Sequence, residues 1–212
     1  MYQPAHFKIE DAGVIHAFIR AHPLGLLISA GQDGPVVDPL PFLLDSKTGR
    51  LGRLRAHMAR ANQHWQLLAQ TKTALVVFQA QGHYISPGWY PTKAETGKVV
   101  PTWNYVTVQV SGRVSVREDA AWLRCQVEDL TGVHEGGREP GWTTSDAPAD
   151  FISAQLRGIV GFEIEIDQMV GKFKLSQNRP AKDQPAIVAA LETEGSAGAA
   201  LAALMRAQGI GA

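Results

Sequence analysis

The segment 83–105, HYISPGWYPTKAETGKVVPTWNY, sets the rings of Trp89, Tyr90, Trp103 and Tyr105 among the polar side chains of Ser86, Lys93, Thr102 and Asn104. Large rings bury flat apolar area, while hydroxyl, amide and ammonium groups beside them can pair with the edge of a planar, polar ligand. The same rings would also suit a core or a subunit interface, with the prolines ending strands. A second concentration of chemistry is RLRAHMARANQHW, where Arg53, Arg55, His57, Arg60, Asn62 and His64 form a loop that runs into a helix start. Guanidinium forks beside the unpaired N–H groups of a helix start favour a phosphate. A solvated basic loop has the same composition. In KFKLSQN, strand alternation places Lys172, Lys174 and Ser176 on one face and Phe173 and Leu175 on the other, so the polar face meets water or a polar ligand.

Several chemistries lack the residues they need. The seven histidines include no HxH or HExxH pair, and the single cysteine leaves no paired Cys/His spacing for a metal. There is no GxSxG, P-loop or GxGxxG motif, and Gly158-Ile159-Val160-Gly161 opens a strand instead of a helix. Cys125, within the helical AAWLRCQVEDL, reads as a packed thiol and cannot form an internal disulfide. Lys plus Arg and Asp plus Glu balance at 20 each, so DNA binding gains no support from charge, and no helix-turn-helix with a basic second helix is visible. No stretch approaches the roughly 20 apolar residues of a membrane helix. A cytoplasmic, membrane-free protein is the expectation.

The elements that must position these groups are mostly strands. LGLLISA and VVDPLPFLL flank an Asp33-Gly34 hairpin signal, and Pro39 and Pro41 suit an edge, a bulge or a ligand-facing stretch. A third strand is expected over 49–54, and Asn62 is a plausible N-cap for the helix carrying Trp65, Leu67 and Leu68. LVVFQA and HYISP follow, and VTVQVSGRVSVRE alternates with Val106, Val108, Val110, Val114 and Val116 on one face. IVGFEIEID predicts Val160, Phe162, Ile164 and Ile166 inward and its three acids outward, with KFKLSQ as a separate last strand. Strands so closely connected pair antiparallel, and a closed barrel would hide their edges. The expectation is a mainly β fold with short peripheral helices: a single domain over 1–212, with 181–212 as a C-terminal helical appendage.

Taken in order, MYQPAHF, HPLGLLIS, RAHMARANQHW, YISPGWY, VPTWNY, IVGFEIEI and GKFKLSQNRP resemble the PaiB-type FMN-binding negative transcriptional regulators from Met1 to about Pro180. The one departure is Gln63, where the motif's ANPHW form has proline. The resemblance implies an antiparallel FMN-binding split β-barrel, assembled as a homodimer with flavin at the subunit interface. It assigns the arginine segment to the phosphate, the Trp/Tyr segment to the ring system and KLSQN to polar edges. The cofactor-binding candidates are then Arg55, His57, Arg60, Asn62, Ser86, Trp103, Asn104, Lys174, Ser176 and Gln177, with no metal ligand among them. A flavin-dependent oxidoreductase, either an NAD(P)H:flavin reductase or a small-substrate oxidase, would use the same site. A haem-binding split barrel would instead take one histidine as axial ligand.

Overall fold

The computed structural model describes residues 1–211. In chain order its regular elements are β1 (Lys8–Ile9), α1 (Ala12–Ala21), β2 (Leu24–Gly31), β3 (Gly34–Pro41), β4 (Leu43–Asp45), β5 (Arg53–Ala59), α2 (His64–Thr71), β6 (Thr73–Gln79) and β7 (His83–Ile85). They continue with α3 (Pro91–Thr96), β8 (Thr102–Arg117), α4 (Ala120–Glu135), α5 (Ala149–Arg157), β9 (Ile159–Lys174), α6 (Asp183–Thr193) and α7 (Gly195–Ala207). Contacts divide the chain into two compact units. One holds Met1–Ile15, Gln79–Val108 and the segment from Val170 on; the other holds His16–Phe78 and Gln109–Met169.

In the second unit the strands follow the order β3-β2-β6-β8-β9-β5-β4, with the β2–β3, β2–β6, β4–β5 and β5–β9 ladders antiparallel. The expected closed barrel is not completed by hydrogen bonds, because no ladder joins β3 to β4. The chain itself joins them: only Phe42 separates the two strands. Its N–H donates to the Pro23 carbonyl at 2.9 Å, and its buried ring meets Phe78 and Phe162 edge-on, with centroids 5.6 and 6.1 Å away.

β3 is the end strand, as its prolines suggested. Pro35, Pro39 and Pro41 share one parity, so each turns the side without an N–H away from β2 while residues 36, 38 and 40 face the ladder. The outer edge is thereby left almost without donors and blunted against strand addition. Alternation elsewhere matches the burial: Val106, Val108, Val110, Val160, Phe162, Ile164 and Ile166 are all buried. Gly112 is required by close approach, since a Cβ there would lie 2.0 Å from the Glu165 carbonyl oxygen.

Three local readings need correction. The segment expected to be a basic loop is β5, in which RLRAHMA alternates so that Leu54, Ala56 and Met58 are buried and Arg53, Arg55 and His57 share the other face. KFKLSQ is not a separate strand, because β9 runs unbroken from Ile159 to Lys174. Finally, Glu163 does not face water: it is buried beneath α4.

Around Glu163 the pairing is complete. Its Oε1 accepts from Arg53 Nη1 at 3.0 Å and Trp122 Nε1 at 3.1 Å, and its Oε2 accepts from Arg117 Nη2 at 2.7 Å and Nε at 3.2 Å. Trp122 reaches it because Gly161 has no side chain; a Cβ there would lie 2.1 Å from the indole ring. Burial alone would raise the carboxyl's pKa, but the bonds from Arg117 and Trp122 and the charge of Arg53 hold it below the ordinary range. A depressed acid contributes stability above its unfolded pKa, near 4.5, and loses it as the pH falls through the lower folded value. Glu163→Gln is expected to cost about 2–4 kcal/mol at neutral pH, since it leaves Arg53 and Arg117 without their carboxylate. Urea unfolding as a function of pH checks this: the variant should lose part of the acid-side decline below about pH 4.5, and an unchanged pH dependence would remove the assigned role.

Candidate functional site

In the second unit, Arg55 and His57 point from β5 toward α4. Arg55 Nη2 donates to Asp129 Oδ2 at 2.7 Å, and its Nε is buried with no hydrogen-bond partner. His57 lies opposite Gly161 in the β5–β9 register; its buried Nδ1 also lacks a partner, and burial lowers its pKa. Gln126, wholly buried on the face of α4 between Trp122 and Asp129, has neither end of its amide paired.

Arg60 and Asn62 sit in the turn that ends β5. Arg60 donates from Nε to the Arg157 carbonyl, from Nη1 to Glu118 and from Nη2 to the Ile159 carbonyl, at 3.1, 2.6 and 3.3 Å. Its guanidinium therefore binds the turn to the chain that leads into β9. Asn62 caps as expected in function but one residue outside the expected place: Gln63 is the N-cap of α2, and Asn62 Oδ1 accepts from the His64 N–H at 3.0 Å. The sequence reading missed Asp38, whose Oδ2 lies 2.6 Å from His64 Nδ1. His64 is buried and its Nε2 is unpaired, so a polar group with unmet bonding capacity stands at the start of α2.

In the first unit, β7 pairs with the start of β8, with Tyr84 opposite Trp103 and His83 opposite Asn104. The Trp103 and Tyr84 rings are 57% and 43% exposed and meet edge-to-face at 6.2 Å. Next to them Lys174 Nζ donates to the Trp103 carbonyl at 2.6 Å and to Thr102 Oγ1. Burial, with the charge of Lys172, pushes the Lys174 ammonium's pKa down against the opposing influence of Tyr105. An ammonium has three N–H donors, and two are used here.

Asn104 and Ser176 are brought together and buried. Asn104 Nδ2 donates to Ser176 Oγ at 2.9 Å, and Ser176 donates back to Asn104 Oδ1 at 3.2 Å, with Ser176 held at φ +68°. Lys172 departs from the expected polar face: it is buried, donates to the Tyr2 carbonyl and lies 5.6 and 5.4 Å from the Tyr2 and Tyr105 rings. Two other candidates serve the local backbone. Ser86 Oγ accepts from the Gly88 N–H, and Gln177 accepts from the Leu175 N–H while donating to the Phe173 carbonyl.

The cluster that fixes this end of the molecule lay outside the candidates. Asp183 is wholly buried and accepts from the Thr92 N–H and hydroxyl and from Arg179 Nη2, at 3.1, 2.8 and 2.6 Å. Arg179 also stacks on the Tyr90 ring, 4.2 Å from its centroid. Arg179 and Asp183 are four residues apart around Pro180, a spacing that carries an ion-pair signal but no indication of burial.

The exposed Trp103–Tyr84 pair and the remaining N–H of Lys174 fit a planar, electron-accepting ring whose polar edge gains negative charge on reduction. No group of metal-ligating side chains occurs among the described residues, and no described helix is long and apolar enough to cross a membrane.

Comparison with known proteins places the chain in a family. The family model described as "Putative FMN-binding domain" matches residues 1–168. An uncharacterized protein of Emericella nidulans is 32% identical over 99% of this chain and 98% of its own. The Bacillus subtilis protease synthase and sporulation protein PAI 2, PaiB, is 29% identical over 92% of this chain and 90% of its own. Among solved structures, the flavocytochrome Anf3 of Azotobacter vinelandii superposes with a TM-score of 0.57 over 79% of this chain and 69% of that one, at 15% identity. A FAD and heme binding protein of Mycobacterium smegmatis gives 0.55 over 79% and 73%, at 17% identity, and both likenesses show the split-barrel fold. The chain belongs to the PaiB-type FMN-binding domain family, and flavin is its cofactor.

Proposed function

We propose that the protein is an FMN-binding homodimer acting as a negative transcriptional regulator of the PaiB type. The observation that carries the reading is the relation to PAI 2 across about nine-tenths of both chains. In this reading Trp103 and Lys174 serve the flavin ring, with the Asn104–Ser176 pair supporting them from beneath. Asn62 and the start of α2 serve the phosphate, while Arg60, committed to Glu118 and two backbone carbonyls, holds their turn in place. Arg55 and His57, on β5, shape the strand that leads into that turn.

The dimer reading is supported by one face of the β2–β3 hairpin. Register puts Leu24, Leu26, Ile28 and Ala30 beside Pro41, Pro39, Val37 and Pro35, and β6 continues the face with Val77 beside Leu26 and Leu75 beside Ile28. Every one of these side chains is apolar. Leu24, Leu26 and Val37 are nevertheless 65%, 43% and 48% exposed. Contiguous exposed apolar side chains on adjoining strands are the kind of surface that marks an interface. Because the face carries no charge, a second copy complements it as well as any partner does.

Titration with FMN, followed by quenching of flavin fluorescence, should saturate near one flavin per chain. Lys174→Met should weaken binding about tenfold, the effect of losing one charged hydrogen bond, without unfolding the protein. A protein that neither carries nor takes up FMN would overturn the reading. Light scattering should give a dimer mass for the wild type and a monomer for Leu26→Glu; a monomeric wild type would remove the assembly. For regulation, the purified protein should retard DNA from upstream of its own coding sequence at moderate salt. Absence of any specific complex, with steady oxidation of NADPH when FMN is added, would instead assign a flavin reductase.

A further inference from the structure

A cavity of about 730 Å³ lies where α4 and α5 meet in the second unit, and none of the roles above uses it. Its floor is apolar: Leu123 and Leu156 belong to the buried cluster that also holds Ile152. Its rim is cationic, with Arg60, Arg124 and Arg157 against a single acid, Glu118, so the lining carries a net charge of +2 from three cations and one anion.

The three arginines differ in what they have left to offer. Arg60 is spent on Glu118 and two carbonyls, which makes it a fixed wall and neutralises the only acid. Arg124 has a carboxylate oxygen of Glu128 no nearer than 3.8 Å, beyond hydrogen-bond distance. Arg157 has no side-chain ion pair among the described residues. Arg124 is thus ion-paired with Glu128 without a hydrogen bond, and both guanidinium forks keep free N–H donors over an apolar floor, in a cavity within the ~300–1,000 Å³ range of small-molecule sites.

We propose that this cavity binds a phosphate monoester with an aryl or alkyl body. Arg124 and Arg157 hold the dianionic head, and the body rests on Leu123 and Leu156. The net charge of the lining matches the dianion, and the floor rewards an attached apolar group over inorganic phosphate alone. The site is independent of the flavin reading, and in a regulator it would be the place of a second effector.

The probe is 1-naphthyl phosphate, titrated calorimetrically into the full-length protein as purified and again with excess FMN. Saturable binding near one per chain is expected under both conditions. 1-Naphthol, which lacks the head, and inorganic phosphate, which lacks the body, should each bind at least tenfold more weakly. The double variant Arg124→Ala/Arg157→Ala should lose tenfold or more in affinity while keeping its melting temperature and its flavin titration. Ala121→Trp, which fills the cavity from the first turn of α4, should give the same loss by a route that spares both arginines. Absence of saturable binding, undiminished affinity in these variants, or displacement of the probe by FMN would overturn the proposal. Failure of FMN to bind with the probe still binding would count against the flavin reading alone.

Discussion

A single residue joins the two end strands of the sheet in the second unit. β3 and β4 form one extended segment that changes partner at Phe42, pairing with β2 before it and with β5 after it. Much else in that unit follows from this switch. The ring of Phe42 fills the space where a ladder would otherwise run, against Phe78 and Phe162, and its N–H is spent on Pro23. With β5 placed by β4 and β9 together, its parity is fixed, and Leu54, Ala56 and Met58 must be the residues in the core. The cations that alternate with them are left on the face that α4 covers.

A covered cation is costly unless it is paired, and the structure meets that cost with carboxylates. Glu163 gathers Arg53, Arg117 and the indole N–H of Trp122, while Asp129 takes Arg55. The first unit repeats the solution with different residues, where Asp183 gathers Arg179 and two donors of Thr92. In both places a buried carboxylate remains ionised because several donors outweigh its loss of water. These clusters are the scaffold; the groups with bonding capacity left over include Lys174, His57, His64 and Gln126. Flavin supplies the redox chemistry when bound, and on the proposed reading Lys174 would help to orient it and to set the charge near its polar edge.

Much of the architecture was legible because it rests on period-two patterns and turn chemistry. The valines of β8 and the apolar residues of β9 announced their buried faces, and the prolines of β3 announced an edge. Of the candidate residues, Lys174 and Trp103, and Asn104 and Ser176, do meet. RLRAHMA was misread because its cations drew attention away from the alternation beneath them. Asp38 and Asp183 were missed because nothing local distinguishes an acid paired in the fold, half-buried or wholly buried, from a free surface one.

The sequence by itself determined which residues alternate, where the chain must turn, and the family whose motifs it carries. Only the tertiary structure decided how far along the outer face of β9 a helix from elsewhere in the chain would reach. That decision made Glu163 a buried anchor while Glu165 and Asp167 on the same strand stayed exposed. The physical reason is that alternation separates the two faces without saying how much of either is covered, whereas burial depends on contacts such as Trp122 over Gly161, which join residues about forty positions apart.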